Sequence, residues 1–204
     1  MARTIAERRR RGKMTQREKT KAEFLIESAL EDPVNAAILE RLPALGLGQA
    51  YLVAGCVYQA VWNRLGGLAP GARVKDYDVF YFDAADLSYE AEDAVIRRAG
   101  MLFADLGAEI ELKNQARVHL WYPERFGAAY PQLRITRDGI DRYLVACTCV
   151  GISAETGEVY APYGLDDLWK GVLRINPVNP QPARFLEKAA SYRARWPWLT
   201  IIEP

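Results

Sequence analysis

Two aspartates, Asp76 and Asp78, stand at the start of an apolar run from Val79 to Phe82 that is typical of a buried strand. Burying a carboxylate costs free energy unless the group is paired or binds a metal ion. Alternate side chains of a strand share a face, so the two carboxylates point the same way, with Cα atoms about 6.5–7 Å apart. A cation such as Mg²⁺, which prefers oxygen ligands, would relieve their repulsion. The pair indicates a metal site, with surface charge at a strand end as the alternative.

A candidate phosphate-binding turn precedes the aspartates. The short apolar run from Leu52 to Ala54 predicts a strand that stops at Gly55. From Cys56 to Leu65 the apolar residues follow the helical period, so the glycine lies in a turn that opens a helix. Such a turn presents free backbone N–H groups at the positive end of the helix dipole, which favours phosphate.

A third carboxylate from a neighbouring strand would complete a two-metal site. Residues 109–113 alternate between charged and apolar side chains, so Glu109 and Glu111 share the face opposite Ile110 and Leu112. On this reasoning either glutamate can be the third ligand.

The order of these parts is strand, glycine turn, helix, Asp-x-Asp strand and acidic strand, and it resembles the DNA polymerase β-like nucleotidyltransferase superfamily. More narrowly, the chain resembles a bacterial family of nucleotidyltransferase proteins, formerly a domain of unknown function. The resemblance covers most of residues 23–200, and its most specific part runs from Asn114 to Trp121. The segments that carry it are AGCVYQAVWNRL, VKDYDVFYFD, NQARVHLWYPERFG, APYGLDDLW, RINP and RWPWL.

The resemblance implies an α+β fold, in which a polymerase β-like nucleotidyltransferase core has a mixed sheet flanked by helices, with C-terminal strand and helix additions. It implies that Asp76, Asp78 and Glu111 are catalytic and hold two Mg²⁺ ions, for which Mn²⁺ can substitute. Glu111 is preferred to Glu109 because it lies closer to the Asn-Gln-Ala-Arg block. The implied reaction moves a nucleoside monophosphate from an NTP to a hydroxyl group.

The resemblance also implies that Gly55 and Cys56 bind the nucleotide, together with positive side chains that neutralise the triphosphate. The candidates for the positive side chains are Arg117, Lys188, Lys113 and Arg174. Many superfamily members have Ser or Gly where this chain has Cys56, and a thiol is a weak hydrogen-bond donor. The alternative is therefore a catalytically degenerate module of the same fold that binds nucleotide or RNA.

The composition predicts one domain behind a basic arm. Half of the 204 residues are hydrophobic, which is enough for a substantial core. Nine of the 27 Lys and Arg residues fall within the first 21 positions, so we expect a basic, flexible arm at 1–20 and a single domain at 21–204. Among acceptors, such an arm favours RNA over a protein or a small molecule, but a solvated, partly disordered terminus without a partner is the more common reason for such a charge cluster.

The sequence predicts a cytoplasmic, reduced protein without a membrane partner. No apolar stretch approaches the length of about 20 residues that spans a bilayer, and no signal peptide pattern is present. The three cysteines, Cys56, Cys147 and Cys149, are expected to be small buried residues.

Helices are predicted on both sides of the site. A helix over 21–41 is divided at Pro33, with Asp32 as the cap of its second part. Another helix covers 88–106 and begins at the cap Ser88. These two are followed by a last helix over 183–195.

Two apolar runs, 118–122 and 143–152, are predicted to be strands. In the first, Arg117, His119 and Trp121 would share a face. His119 would then be a hydrogen-bonded structural residue.

Overall fold

The computed structural model describes residues 16–204, which contain eight helices, seven strands and three short 3-10 turns. The helices are α1 (Gln16–Leu30), α2 (Pro33–Arg41), α3 (Gly55–Leu65), α4 (Tyr89–Leu102), α5 (Val118–Phe126), α6 (Thr136–Ile140), α7 (Asp166–Lys170) and α8 (Pro182–Arg195). The strands are β1 (Tyr51–Val53), β2 (Tyr77–Tyr81), β3 (Ile110–Asn114), β4 (Gly151–Ser153), β5 (Val159–Tyr160), β6 (Val172–Leu173) and β7 (Thr200–Ile201). Most of the predicted basic arm, residues 1–15, lies outside the described range.

The predicted helix caps are confirmed. The side chain of Asp32 accepts a hydrogen bond from the N–H of Val34 at 3.0 Å at the start of α2. Ser88 accepts one from the N–H of Ala91 at 3.2 Å at the start of α4. Both bonds satisfy N–H groups that have no partner within the helix. The first helix begins at Gln16, before the predicted start at residue 21.

Strands β1 to β5 form one mixed sheet in the order β3-β2-β1-β4-β5. Strands β2 and β3 are parallel and joined through α4, whereas the other neighbours in this sheet are antiparallel. On one face, Leu52, Val79 and Leu112 belong to the main hydrophobic core beneath the helices. The opposite face presents Val53 and Phe80, which pack in a second, smaller cluster. The sheet therefore has one face packed against the main core and a second face that carries the smaller cluster. We call the second face, which also carries Asp78 and Glu111, the carboxylate face.

An aromatic cluster fixes α3 against α8. The ring centroid of Trp62 lies 5.0 Å from that of Tyr58, 5.3 Å from that of Tyr192 and 5.4 Å from that of Trp196. The hydroxyl groups of Tyr58 and Tyr192 share a hydrogen bond of 2.6 Å. Because rings packed in this way bury large apolar areas, α8 has a fixed position against α3 in the main core.

The strand predicted at 118–122 is wrong, because these residues belong to α5. The side chain of Asn114 accepts hydrogen bonds from the N–H groups of Asp83 and Ala116, at 3.0 and 3.1 Å, and ends β3 with a turn. A short apolar run fits a strand and a helix equally well, so periodicity could not decide between them. His119 consequently shares no strand face with its neighbours, and within residues 16–204 its buried Nδ1 has no hydrogen-bond partner.

The strand predicted at 143–152 is also largely wrong. Its middle is a 3-10 turn, and regular strand begins only at Gly151. The cause is Asn176, which is fully buried and donates to the carbonyl groups of Asp141 and Tyr143 at 2.7 and 2.6 Å. Its Oδ1 accepts from the hydroxyl of Tyr163 at 2.6 Å. These side-chain bonds replace part of the ladder that a strand would need.

The cysteines are buried and free, as expected. Within the described part of the chain, no helix combines the length and the apolar character needed to cross a bilayer.

We predict that Asn176→Ala lowers the free energy of unfolding by about 2–4 kcal/mol, because it leaves buried carbonyl and hydroxyl groups without partners. Asn179→Ala is the matched control, since Asn179 also donates to this segment, to the carbonyl of Arg142 at 2.7 Å, but is only partly buried. Urea denaturation measures both. Equal losses for the two variants would contradict the role given to Asn176.

Candidate active site

Asp78 and Glu111 lie side by side on the carboxylate face of the sheet, because β2 and β3 run parallel with these two residues in register. The ammonium group of Lys113 lies between them, 3.4 Å from Asp78 Oδ1 and in closer contact with Glu111. Glu109 precedes β3 and is exposed. The register therefore brings Glu111, rather than Glu109, directly opposite Asp78.

The environment of Asp78 disfavours its charge. Burial raises the pKa of Asp78 to about 6 from its ordinary value of 3.8, the nearby Lys113 lowers it, and the charges of Asp76 and Glu111 raise it. Burial lowers the pKa of Lys113, but Asp78 and Glu111 outweigh this and raise it above its ordinary value. The ionised, buried carboxylate of Asp78 therefore favours a bound cation beside it.

The carboxylates offer the oxygen ligands that a hard divalent cation prefers. Within residues 16–204, no three His, Cys, Asp or Glu side chains converge into a metal cluster, and the cation between Asp78 and Glu111 is Lys113. Two carboxylates already face one cation, and Asp76 is close enough to affect Asp78. The donor set therefore fits a divalent cation that would take the place of the ammonium group.

A cavity of 310 Å³ opens next to this pair, with Lys113 in its wall. Its other walls come from β2, α3, α5, α8 and the segment that Asn176 holds. Seven aromatic residues line it, and no carboxylate among the described residues does. Its four positive side chains are Lys113, Arg142, Arg184 and Lys188. A cavity with these walls suits a flat aromatic group joined to an anion.

Two polar groups of the cavity wall have no protein partner. The Nε of Arg142 and the hydroxyl of Tyr143 are buried, and neither has a hydrogen-bond partner within residues 16–204. Groups of this kind are costly unless a bound molecule or water satisfies them. The Nε of Arg142 and the hydroxyl of Tyr143 are therefore available to form hydrogen bonds with a polar ligand.

Lys188, predicted to bind nucleotide, lies in the cavity wall. Burial and then the charge of Arg195 lower its pKa below the ordinary value, whereas Asp76 and Asp78 act to raise it. Lys188 is therefore within electrostatic reach of both aspartates. It projects from α8, which the aromatic cluster around Trp62 holds in place.

The glycine turn reaches the same cavity through Ala54, which lines it. Ala54 has φ +60° and ψ −142°, an uncommon conformation for a residue with a side chain, directly before the first residue of α3, Gly55. Cys56 is fully buried, and its thiol donates to the carbonyl of Val53 at 3.0 Å. Its side chain is thus turned away from a ligand, and its backbone amide remains as the candidate group.

The structure does not bring Arg117 or Arg174 to the cavity. Arg117 is buried in an ion pair with Glu92 and donates to the carbonyl of Leu87 at 2.9 Å. Arg174 pairs with Asp167 at 3.0 Å. A buried charge requires a partner, and Glu92 of α4 is the partner of Arg117.

The sequence reasoning missed Arg142, Tyr143 and Arg184. A usable signal exists for Arg184, because it lies four residues before Lys188 and therefore on the same helix face. No such local signal exists for Arg142 and Tyr143, whose positions depend on the distant Asn176.

The comparisons with known proteins agree with this geometry. A family model described as Nucleotidyltransferase matches residues 40–201, and the chain belongs to this family. A solved structure titled as revealing a CCA-adding enzyme head domain has a similar fold, with a TM-score of 0.66 and 28% sequence identity. The match covers 88% of this chain and 95% of the other. Among curated proteins, none matches the chain.

The predicted α+β fold with a mixed sheet flanked by helices is therefore confirmed, as is the nucleotidyltransferase class of the chain. The assignment of individual site residues stays a prediction.

We predict that, in metal-free buffer with chelator, Asp78→Asn is more stable than the wild type by about 1–3 kcal/mol at pH 8. The raised pKa means that the folded protein holds the Asp78 proton more tightly than the unfolded chain. The ionised group therefore destabilises the fold above pH 6, and this penalty fades as the pH falls through 6 towards 4.

Urea denaturation across this pH range measures the difference. Asp105→Asn is the control of opposite sign, because the hydrogen bond from Arg41 lowers the pKa of Asp105, so its ionised form stabilises the fold. A difference between Asp78→Asn and the wild type that does not change with pH would contradict the environment assigned to Asp78.

Proposed function

We propose that the protein is a divalent-metal-dependent nucleotidyltransferase that moves a nucleoside monophosphate from an NTP to an acceptor hydroxyl. The observation that supports this best is the cationic, aromatic cavity beside the Asp78–Glu111 pair. Family membership makes nucleotidyl transfer the chemistry to be explained. The similar solved structure, titled as a CCA-adding enzyme head domain, supports nucleotide addition as the reaction.

In this proposal the cavity binds the NTP. The walls formed by Phe80, Tyr143 and Tyr192 receive the nucleobase, and the positive side chain of Lys188 holds the triphosphate. Fixed positive groups in a site that is partly closed to water stabilise phosphate charge strongly. The backbone amides of Gly55 and Cys56, at the start of α3, offer a second phosphate contact.

Asp76, Asp78 and Glu111 would hold Mg²⁺ or Mn²⁺, with two ions expected. When bound, the metal neutralises phosphate charge and lowers the pKa of the attacking hydroxyl. The acceptor oxygen forms the new bond to the α-phosphorus, and the bond to the pyrophosphate oxygen breaks. Glu111, or Glu109 as the alternative, accepts the hydroxyl proton.

Lys113 gives a reason for keeping a second candidate function. Its ammonium group already compensates Asp78 and Glu111, as a permanent substitute for a metal would. The chain would then be a catalytically degenerate module that binds nucleotide or RNA in the same cavity. The acceptor of the enzyme can be RNA, a protein or a small molecule, because the Asp78–Glu111 pair does not select among them.

We predict that the wild-type protein, Mn²⁺ and α-³²P-labelled NTPs label a component of a cell extract, and that Asp78→Asn abolishes the labelling. Removing one ligand charge weakens cation binding and so the transfer itself. Asp105→Asn, remote from the cavity lining, is the control and should label normally. Equal labelling by Asp78→Asn would refute the assigned site, whereas NTP binding without any labelling would favour the degenerate module.

We also predict that Lys188→Met weakens NTP binding by about tenfold or more, because a phosphate contact with a charged group is lost. Arg174→Met is the matched control and should bind NTP normally, since Arg174 pairs with Asp167 away from the cavity lining. Isothermal titration calorimetry measures both. Normal NTP binding by Lys188→Met together with weakened binding by Arg174→Met would contradict a triphosphate site at α8.

A further inference from the structure

We propose that the acceptor is a single-stranded RNA, and that it binds along four aromatic side chains of α5 and the following loop. We name these residues, Trp121, Tyr122, Phe126 and Tyr130, the aromatic ladder. The proposal rests on the proposed nucleotidyl transfer and names the substrate class of the same site.

The rings of the aromatic ladder form one cluster around Tyr122, whose ring contacts the other three. The ring centroid of Tyr122 lies 4.4 Å from that of Tyr130 and 4.6 Å from that of Phe126. The ring of Trp121 lies 6.4 Å from that of Phe126. These separations are those of rings in contact, so the ladder is one continuous aromatic surface.

The aromatic ladder leads from the cavity to solvent. Trp121, Tyr122 and Tyr130 line the cavity, whereas Phe126 lies outside its lining and is 44% exposed. Lys113 lines the same cavity and contacts Asp78. A polymer whose end reaches the carboxylates would therefore have an earlier residue at Phe126.

Arginines accompany the rings along this path. Arg125 and Arg184 lie over the ring of Phe126, with guanidinium carbons 5.5 and 5.4 Å from its centroid. Arg142 lies 4.9 Å from the centroid of Tyr130 in the same way. Glu124 is the one acidic residue of α5.

This combination of aromatic rings and guanidinium groups matches the chemistry of a single-stranded polynucleotide, in which flat bases are joined by phosphates. Bases stack on aromatic side chains whatever their sequence, and arginines bind the backbone between them. A duplex hides the faces of its bases, so the aromatic ladder favours a single strand. A peptide acceptor would not require the two arginines beside the exposed ring of Phe126.

The test uses the full chain and a fluorescent oligoribonucleotide of about eight nucleotides, a length within the usual site size. Binding is followed by anisotropy at about 0.2 M salt, where non-specific binding by the basic residues near the N-terminus is reduced. An RNA duplex of the same sequence is the competitor. The wild type is expected to prefer the single strand.

Phe126→Ala is expected to weaken single-strand binding by about fivefold to 100-fold, the range for the loss of one stacked base. Phe126→Trp, which keeps a stacking surface, is expected to restore it. Leu120→Ala is the matched control, because Leu120 lies on the same helix and is 51% exposed but is not part of the aromatic ladder. It should bind RNA as the wild type does.

NTP affinity, measured by calorimetry in the same variants, distinguishes a failure of the proposed function from a failure of the RNA site. If the wild type does not bind NTP, the proposed function fails. If NTP binds but Phe126→Ala and Leu120→Ala bind the single strand equally, the aromatic ladder is not the acceptor site. Labelling of protein rather than RNA in an extract would also overturn the proposal.

Discussion

The arrangement depends on one electrostatic constraint: two carboxylates, Asp78 and Glu111, occupy neighbouring positions on one face of a sheet. Burial and mutual repulsion make the ionised pair unfavourable, and a cation must compensate it. Lys113, two residues along the same strand as Glu111, provides that cation. The same negative charge would favour a divalent metal, so the charge that destabilises the fold is also what the proposed metal-dependent transfer requires.

The rest of the fold keeps this face available and gives it walls. The opposite face carries the main core, whereas the carboxylate face carries the smaller cluster around Val53 and Phe80. Trp62 and its aromatic neighbours fix α8, which brings Lys188 over the site. Asn176 holds the irregular segment that contributes Arg142 and Tyr143. Distant packing and a buried amide thus determine where the positive charges lie.

Local patterns were sufficient to place Asp78 and Glu111 on strands, because a period of two fixes which strand residues share a face, whereas Asp76 and Glu109 lie just before β2 and β3. The pairing of Asp78 with Glu111 then followed from parallel register, which the sequence could only suggest. The run at 118–122 was misread, since four or five apolar residues satisfy both strand and helix. Had it been read as a helix, Val118, Trp121 and Tyr122 would have formed one face, as they do in the cavity wall.

Other errors have a tertiary origin. Arg117 was expected at the nucleotide, but Glu92 on another helix is its partner. Arg142 has no neighbour in sequence that reveals its role, because the carbonyl bonds that shape its segment come from beyond residue 175. Local patterns identify candidate catalytic and binding residues, whereas long-range ion pairs and hydrogen bonds determine which of them lie in the same site.

The most direct test of the central claim is a crystal structure of the protein with Mn²⁺ and a non-hydrolysable NTP, with the metal located by anomalous scattering. The account predicts Mn²⁺ between Asp78 and Glu111, with Asp76 as a further ligand, the Lys113 ammonium displaced from the pair and the nucleotide in the 310 Å³ cavity. Nucleotide bound in the cavity with Lys113 still between the two carboxylates, and no metal there, would contradict it.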